Sequence, residues 1–244
     1  MTPSPRPIPI LTYHQVDPPA PRGAPYRSLS VSPAAFARQM AWLAALGYRG
    51  LSMSALMPYL RGEQSGRVVG LTFDDGYRNN LIHALPVLRR HGFSATCFVV
   101  SDMIGQSNAW DASLGIAEKP LMTLDELRSW HDGGQEVGAH TGHHVDLCTL
   151  GEADARAEIA GSKRSLESAL QTEVRHFCYP YGRYRPEHAS WAREAGYESA
   201  CTTRRGRAPA GADPFELPRV PVPRFTPLPL FWLKVASAYE DRRA

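Results

Sequence analysis

The sequence predicts an α/β chain: a parallel sheet of about seven strands covered by helices, in a single domain spanning residues 1–244. Three observations carry this reading. Short, continuously apolar runs alternate with segments of helical periodicity, and strands that are apolar on both faces belong to sheets buried on both sides. Polar punctuation gathers just past the apolar runs, at what become the C-terminal strand ends: His14, Asp74-Asp75, His140, Tyr179 to Gly182 and Thr202-Thr203. No composition break or internal repeat marks a boundary, and 244 residues, 43% hydrophobic, suffice for one cored domain and are few for two.

The elements follow in order. "PILTYH" is a strand ending in His14. Ser32-Pro33 is a cap followed by proline at the first helical position; Phe36, Met40 and Leu43 recur at helical spacing, and Gly47 closes the helix. "VVGLTF" is a buried strand. The helix after it carries Leu81, Leu85 and Leu88 on one face and ends near Gly92, with Pro86 obscuring where it begins. "FSATCFVV" is the third strand, and residues 101–122 form an irregular insertion containing "NAWD". Thr123-x-x-Glu126 is a capping box opening a helix that stops at Gly133-Gly134. "QEVGAH" is a strand ending in His140, and Thr149-x-x-Glu152 opens a long helix to about Leu170. "RHFCYP" is a strand and "PEHASWAREAG" a helix; "ESACTT" and "ELPRVPV" are strands. Thr226-Pro227 begins a last helix with Leu230, Leu233 and Val235.

Several function classes are excluded. A net charge of +3, spread along the chain, is too weak for a nucleic-acid footprint. No apolar run reaches membrane-spanning length. The opening "MTPSPRPIPILTYH" has proline at four early positions and no long apolar core, so it does not read as a signal peptide. Cys97, Cys148, Cys178 and Cys201 lie far apart, without a CxxC, and read as reduced, mostly buried thiols. The expectation is a cytoplasmic protein.

The chemistry starts from "TFDDGY". Two adjacent acids at a strand end repel unless a positive charge sits between them or one holds a proton. "HTGHH" offers His140 and His144 four apart, with His143 as a competitor. Two imidazoles and one carboxylate make a three-ligand site for Zn²⁺ or a similar divalent ion, with a position left for water, whose pKa falls to about 7 there. If Asp75 is the ligand, Asp74 is free to take a proton from that water. Taken alone, Asp-Asp-Gly after a strand reads as a turn with an Asx cap. A histidine pair four apart, alone, reads as surface or satisfied core. At strand ends that share one face of a βα barrel, the combination reads as a metal centre. His143 reads as a solvent-facing neighbour.

"TFDDGY", "HTGHH", "FCYPYG" and "LPRVPV", in this order and set in βα units, resemble the polysaccharide deacetylases, the carbohydrate esterase family four with the nodulation-factor deacetylase homology domain. "PILTYHQV" resembles the start of the branch with a YH motif near its first strand, and the likeness runs from about Ile8 to Val222. The resemblance implies a deformed (β/α) barrel that hydrolyses N-acetyl groups of amino sugars. It implies Asp74 as general base, Asp75, His140 and His144 as metal ligands, and the Tyr181 backbone N–H as a donor to the oxyanion. Read alone, "YPYG" is equally a plain turn.

The chain departs from the family's commonest pattern twice. The arginine usual before the prolines of the third motif is absent from "FCYPYG", and the final motif supplies Arg219 where a histidine acid is usual. The reading adopted is that these departures compensate: Arg219 reaches Asp74 and keeps it ionised, and His14, an imidazole of suitable pKa range, protonates the leaving amine. The alternatives are a surface salt bridge for Arg219 and a backbone cap for His14. His176 is expected to point away from the site by strand alternation. Trp110 in the insertion either stacks on a sugar or anchors its own loop, with Asp111 beside it; Tyr181 and Tyr184 are candidates for the groove wall.

The function expected is a metal-dependent hydrolase removing acetyl from an N-acetylated glycan or sugar precursor, with Zn²⁺ first among metals and Co²⁺, Fe²⁺ or Ni²⁺ also suited. Two rivals stand: the same site acting on a small cyclic amide or ureide, and a catalytically silent glycan-binding domain. An open groove favours a glycan and a closed pocket a small molecule.

Overall fold

Seven parallel strands close on themselves in a computed structural model that describes residues 6–243. "MTPSP", the first part of the proline-rich opening, lies outside the described residues. The chain runs through β1 (Ile10–Tyr13), β2 (Gln15–Val16), β3 (Ser30–Val31), α1 (Pro33–Ala45), β4 (Arg49–Leu51), α2 (Met53–Leu60) and β5 (Val68–Phe73). It continues through α3 (Arg78–His83), α4 (Leu85–His91), β6 (Thr96–Val99), α5 (Leu124–Asp132), β7 (Glu136–Ala139) and α6 (Glu152–Leu170). Last come β8 (His176–Cys178), α7 (Pro186–Glu194), β9 (Ser199–Arg205), β10 (Leu217–Pro221) and α8 (Leu228–Ala236). The ring order is β1-β10-β9-β8-β7-β6-β5, and β5 returns to β1 in register Ile10↔Gly70 to Tyr13↔Phe73. The seven strands of the ring are the seven apolar runs read from the sequence.

The barrel is deformed at one edge of β5. There β4 pairs with Val68 to Gly70 and β6 with Thr72 and Phe73, so two strands share one edge. Neither β4 nor α2 was expected: β4 is three residues long, too short for a periodicity signal, and α2 carries Pro58 inside it. Pro86 resolves into a break, with α3 ending at His83 and α4 starting at Leu85 with the proline at its second position. Thr149 is not the cap of α6. Its hydroxyl donates to the Asp146 carbonyl at 2.7 Å, and Gly151 takes the N-cap place. Ser32 and the Thr123–Glu126 box cap α1 and α5 as expected.

Strand alternation sorts the core into two layers. Leu11, Tyr13, Val69, Leu71, Phe73, Val99, Val137, Phe177, Ala200 and Val220 pack under the helices. Ile10, Phe98, Cys178, Cys201 and Leu217 fill the barrel interior. Gly138 is required there, because a Cβ would come within 2.6 Å of the Phe98 ring. Continuing the inward-facing positions past the strand ends leads from Thr72 to Asp74, from Thr12 to His14 and from Gly138 to His140. Among the described residues no helix is long and apolar enough to cross a membrane.

Candidate active site

β5 delivers Asp74 and Asp75 to the C-terminal mouth of the barrel, and both are buried. Alternation turns Asp74 inward. Asp75 would then face outward, but its φ of 74° breaks the strand and re-aims it. Asp75 Oδ1 lies 3.4 Å from His140 Nε2 and 3.3 Å from His144 Nε2. Two ligands about 2.1 Å from one tetrahedral ion are about 3.4 Å apart. These separations are long for hydrogen bonds and match ligands around a shared ion. Asp75, His140 and His144 offer three ligand atoms within 4.8 Å of one another, so the donor set fits a divalent cation.

The surroundings orient those donors. His140 Nδ1 donates to the Cys178 carbonyl at 2.7 Å, which fixes the tautomer and leaves Nε2 free toward Asp75. The His144 backbone N–H donates to Thr141 Oγ1 at 3.0 Å, and His144 Nδ1 meets the Tyr181 hydroxyl at 3.2 Å. Burial, then the Asp111 charge, pushes the Tyr181 hydroxyl up to about 12, so it stays protonated. Trp110 stacks on the His144 ring at 4.8 Å, and its loop is thereby anchored against the site. Asp75, Thr141, His144 and Tyr181 all have positive φ, a strained conformation for these residues that costs roughly 1–3 kcal/mol each and clusters at functional sites.

Asp74 has a different partner. Arg219 on β10, fully buried, donates from Nη1 to Asp74 Oδ1 and from Nη2 to Oδ2, each at 2.7 Å. It is held in turn by the Thr202 carbonyl, Thr72 Oγ1 and Cys178 Sγ. A second set of candidate ligand atoms, Asp74, His140 and Cys178, is therefore already filled by the guanidinium. Burial would raise the Asp74 carboxyl; the Arg219 charge and hydrogen bonds more than offset this and hold it below its usual value. For Asp75, burial is likewise outweighed by the adjacent His140 and His144 rings, which hold it well below the carboxylate range.

His14 follows β1 with its Nε2 3.9 Å from Asp74 Oδ2. Its carbonyl accepts from Asn80 Nδ2 at 2.7 Å, while its ring faces the cleft. The cleft, about 600 Å³, is lined by His14, Asp74, Asp75, Trp110, Asp111, Tyr181 and their neighbours. Its rim residues Tyr26, Leu114 and Tyr181 are about half exposed, so the cleft is open. Tyr184 is not part of its wall: it stacks on Tyr179 at 4.5 Å. His143 is exposed and pairs with Glu158 at 2.7 Å. His176 shares the inward face with Cys178 and is separated from the site by height rather than by alternation. It begins β8 and bonds Ser199 and Ser54 near the opposite end. The contacts of the Cys178 carbonyl and sulfur, the Thr141 hydroxyl and the Tyr181 hydroxyl were not foreseen; only their adjacency to the motifs signalled them.

A parallel barrel with acids and imidazoles convergent at its C-terminal mouth has the layout of a barrel enzyme's active site. The family model described as "Polysaccharide deacetylase" matches residues 61–200. The chain is 31% identical over 223 residues to "Putative polysaccharide deacetylase YxkH" of Bacillus subtilis (strain 168), covering 91% of this chain and 73% of that protein. It is 24% identical over 198 residues to the poly-beta-1,6-N-acetyl-D-glucosamine N-deacetylase of Staphylococcus epidermidis, covering 80% and 68%. The Streptococcus pyogenes deacetylase PplD in complex with acetate superposes with a TM-score of 0.83 at 26% identity, covering 95% of this chain and 99% of that one. The chain belongs to the polysaccharide deacetylase family.

If Asp75, His140 and His144 share one ion, the wild-type chain binds about one equivalent of Zn²⁺ or Co²⁺. His140→Ala and Asp75→Ala then each lower the affinity by about two orders of magnitude or more. Titration calorimetry reads this; unchanged affinity in both variants refutes the shared ion.

Proposed function

We propose that this chain is a metal-dependent hydrolase that removes N-acetyl groups from an amino-sugar glycan or glycan precursor. The observation that carries the reading is the division of the two acids: Asp75 faces two imidazoles and Asp74 is held apart by Arg219. Asp75, His140 and His144 would hold the ion, with Zn²⁺ the first choice for this nitrogen and oxygen set and Co²⁺, Fe²⁺ or Ni²⁺ compatible. When bound, such an ion supplies Lewis-acid polarisation and lowers the pKa of water to about 7.

The chain's own residues then divide the proton work. Asp74, kept ionised by Arg219, accepts a proton from the water that attacks the acetamido carbonyl. The Tyr181 N–H donates to the carbonyl oxygen as negative charge develops there. His14 delivers a proton to the departing nitrogen, so that the C–N bond breaks to acetate and a free amine. The open rim supports a chain-like substrate over a small cyclic amide. An ionised base oriented by two hydrogen bonds supports a catalyst over a silent binder.

Acetate release from chitotetraose, with and without chelator, tests the activity. The metal-loaded wild type is expected to release acetate, chelation to abolish it, and Asp74→Asn to lower kcat by about 10²- to 10⁴-fold with metal content retained. Full activity of Asp74→Asn would remove Asp74 from the chemistry.

Arg219 acts through Asp74. Arg219→Lys keeps a charge and loses the fork, so kcat is expected to fall about 10- to 100-fold with KM little changed. Because Arg219 lowers the carboxyl's pKa, weakening that grip lets burial raise it, and the acid limb of the rate profile moves to higher pH at saturating metal. A profile that keeps its acid limb would make Arg219 merely structural.

For His14, the variant His14→Ala should lose about 10²-fold or more in kcat on acetamido sugars. It should lose far less on an acetate ester of a good leaving group, which departs without protonation. Equal losses on both substrates would rule out the acid role.

A further inference from the structure

Four carboxylates line the cleft: Asp74, Asp75, Asp111 and Asp146. Three of them are answered by the protein. Asp74 has Arg219, Asp75 has the two imidazoles, and Asp146 accepts from Arg183 Nη1 at 2.8 Å. Asp111, in the insertion, is 8% exposed, yet its side chain makes no ion pair and no direct hydrogen bond among the described residues. Burial, then the Asp75 charge, raises its pKa; the His144 ring and the Asn108 amide offset this only in part. That amide is itself engaged by the Ala117 carbonyl at 3.4 Å. The Asp111 oxygens are not sealed in. Thr12, Asn79, Trp110 and Arg224 hold the unpartnered side-chain atoms closed to solvent, and Asp111 is not among them. Its oxygens open to the cleft that the residue lines.

The carboxylate is also held in place. Trp110 beside it stacks on the His144 ring at 4.8 Å. The Asp111 N–H donates to the Asn108 carbonyl at 3.1 Å, and Asn108 Oδ1 accepts from the Lys119 N–H at 2.6 Å. Lys119 Nζ in turn donates to Asp17 Oδ2 at 2.8 Å, which joins the insertion to the segment after β2. A fixed acceptor loses little entropy on binding, and a hydrogen bond to an ionised group is about twice as strong as a neutral one. Asp111 stands outside the group formed by Asp75, His140 and His144, which leaves it for a substrate group rather than for the ion.

We propose that Asp111 selects the substrate by accepting a hydrogen bond from a hydroxyl group of the sugar whose acetamido group enters the cleft. The assignment rests on the deacetylase reading of that cleft and narrows its substrate to rings with a free hydroxyl within reach of Asp111. Hydroxyls are the donors that a neutral amino sugar presents in number. A site built to bind one rejects the analogue that lacks it, because the desolvated acceptor is then stranded.

Ligand-observed NMR titration, on Zn²⁺-loaded Asp74→Asn protein to slow turnover, compares the methyl glycoside of N-acetylglucosamine with its monodeoxy analogues, each lacking a different hydroxyl. One analogue is expected to bind about tenfold more weakly than the parent sugar. Adding Asp111→Ala should weaken the parent sugar by about the same factor and erase the difference between the two. Adding Asp111→Asn, nearly isosteric and still an acceptor, should recover part of both. Thermal melting checks each variant, and if Asp111→Ala does not fold, reduced discrimination in Asp111→Asn decides. Equal or absent binding of the sugars, or a difference that persists without the carboxylate, would overturn the subsite. So would a fall in Zn²⁺ affinity with Asp111→Ala, which would make Asp111 part of the metal centre. Binding is read apart from turnover in the wild type. Discrimination with no acetate release defeats the deacetylase reading alone, and acetate release without discrimination defeats the subsite alone.

Discussion

Two carboxylates on consecutive residues, both removed from water, are the constraint from which the site follows. Burial alone would push Asp74 and Asp75 toward protonation, and their mutual repulsion would add to that. The fold compensates each separately. Asp74 receives a guanidinium through two parallel hydrogen bonds, and Asp75 receives two imidazole nitrogens on one oxygen. A buried ion pair of this kind is weak support for stability, since desolvation consumes much of its Coulomb energy. Its value here is orientation: Asp74 is ionised and fixed, and it has no need of a cation of its own. Asp75 is the acid left facing the two imidazoles, in a group that could hold a cation.

Barrel closure converts separations of tens to hundreds of residues into neighbours. β1 lies between β5 and β10 in the ring, so His14, Asp74 and Arg219 stand on three adjacent strands although they span most of the chain. The inward alternation of each strand supplies the direction, and the C-terminal mouth supplies the height. His176 illustrates the height term. It belongs to the same inward face as Cys178, yet as the first residue of β8 it is tied to Ser54 and Ser199.

Much of this was legible because the local and global patterns agree. Each ring strand is an apolar run, each motif includes or follows one, and the caps at Ser32 and Thr123 sit where the residue types place them. β4 and α2 were not legible, since a three-residue strand has no period and Pro58 disguises the helix. Thr149 fits a capping box by composition but is diverted to the Asp146 carbonyl, a competing local bond that residue spacing does not reveal. Arg219 as a tether rather than a surface ion pair was an open alternative. Nothing local distinguishes them, because the partner is 145 residues away.

The register of β10 explains how an arginine can enter the barrel at all. Leu217 pairs with Cys201, but Arg219 pairs with Arg205, so two residues of β10 oppose four of β9. Such irregularities interrupt the ladder and leave backbone groups without strand partners. Here the Thr202 carbonyl, inside the irregular stretch, accepts from Arg219 Nε at 2.9 Å. The side chain therefore satisfies the defect in the sheet that makes room for it. A guanidinium is suited to this place because it has donors to spare: Nε serves the sheet while Nη1 and Nη2 serve Asp74. A histidine at the same position would have one donor in its neutral form and would leave either the carbonyl or the carboxylate unserved. Placing the arginine on β10 thus removes the position from which the family's usual histidine would act. It leaves His14, on the adjacent strand and 3.9 Å from the same carboxylate, as the imidazole we propose for the proton.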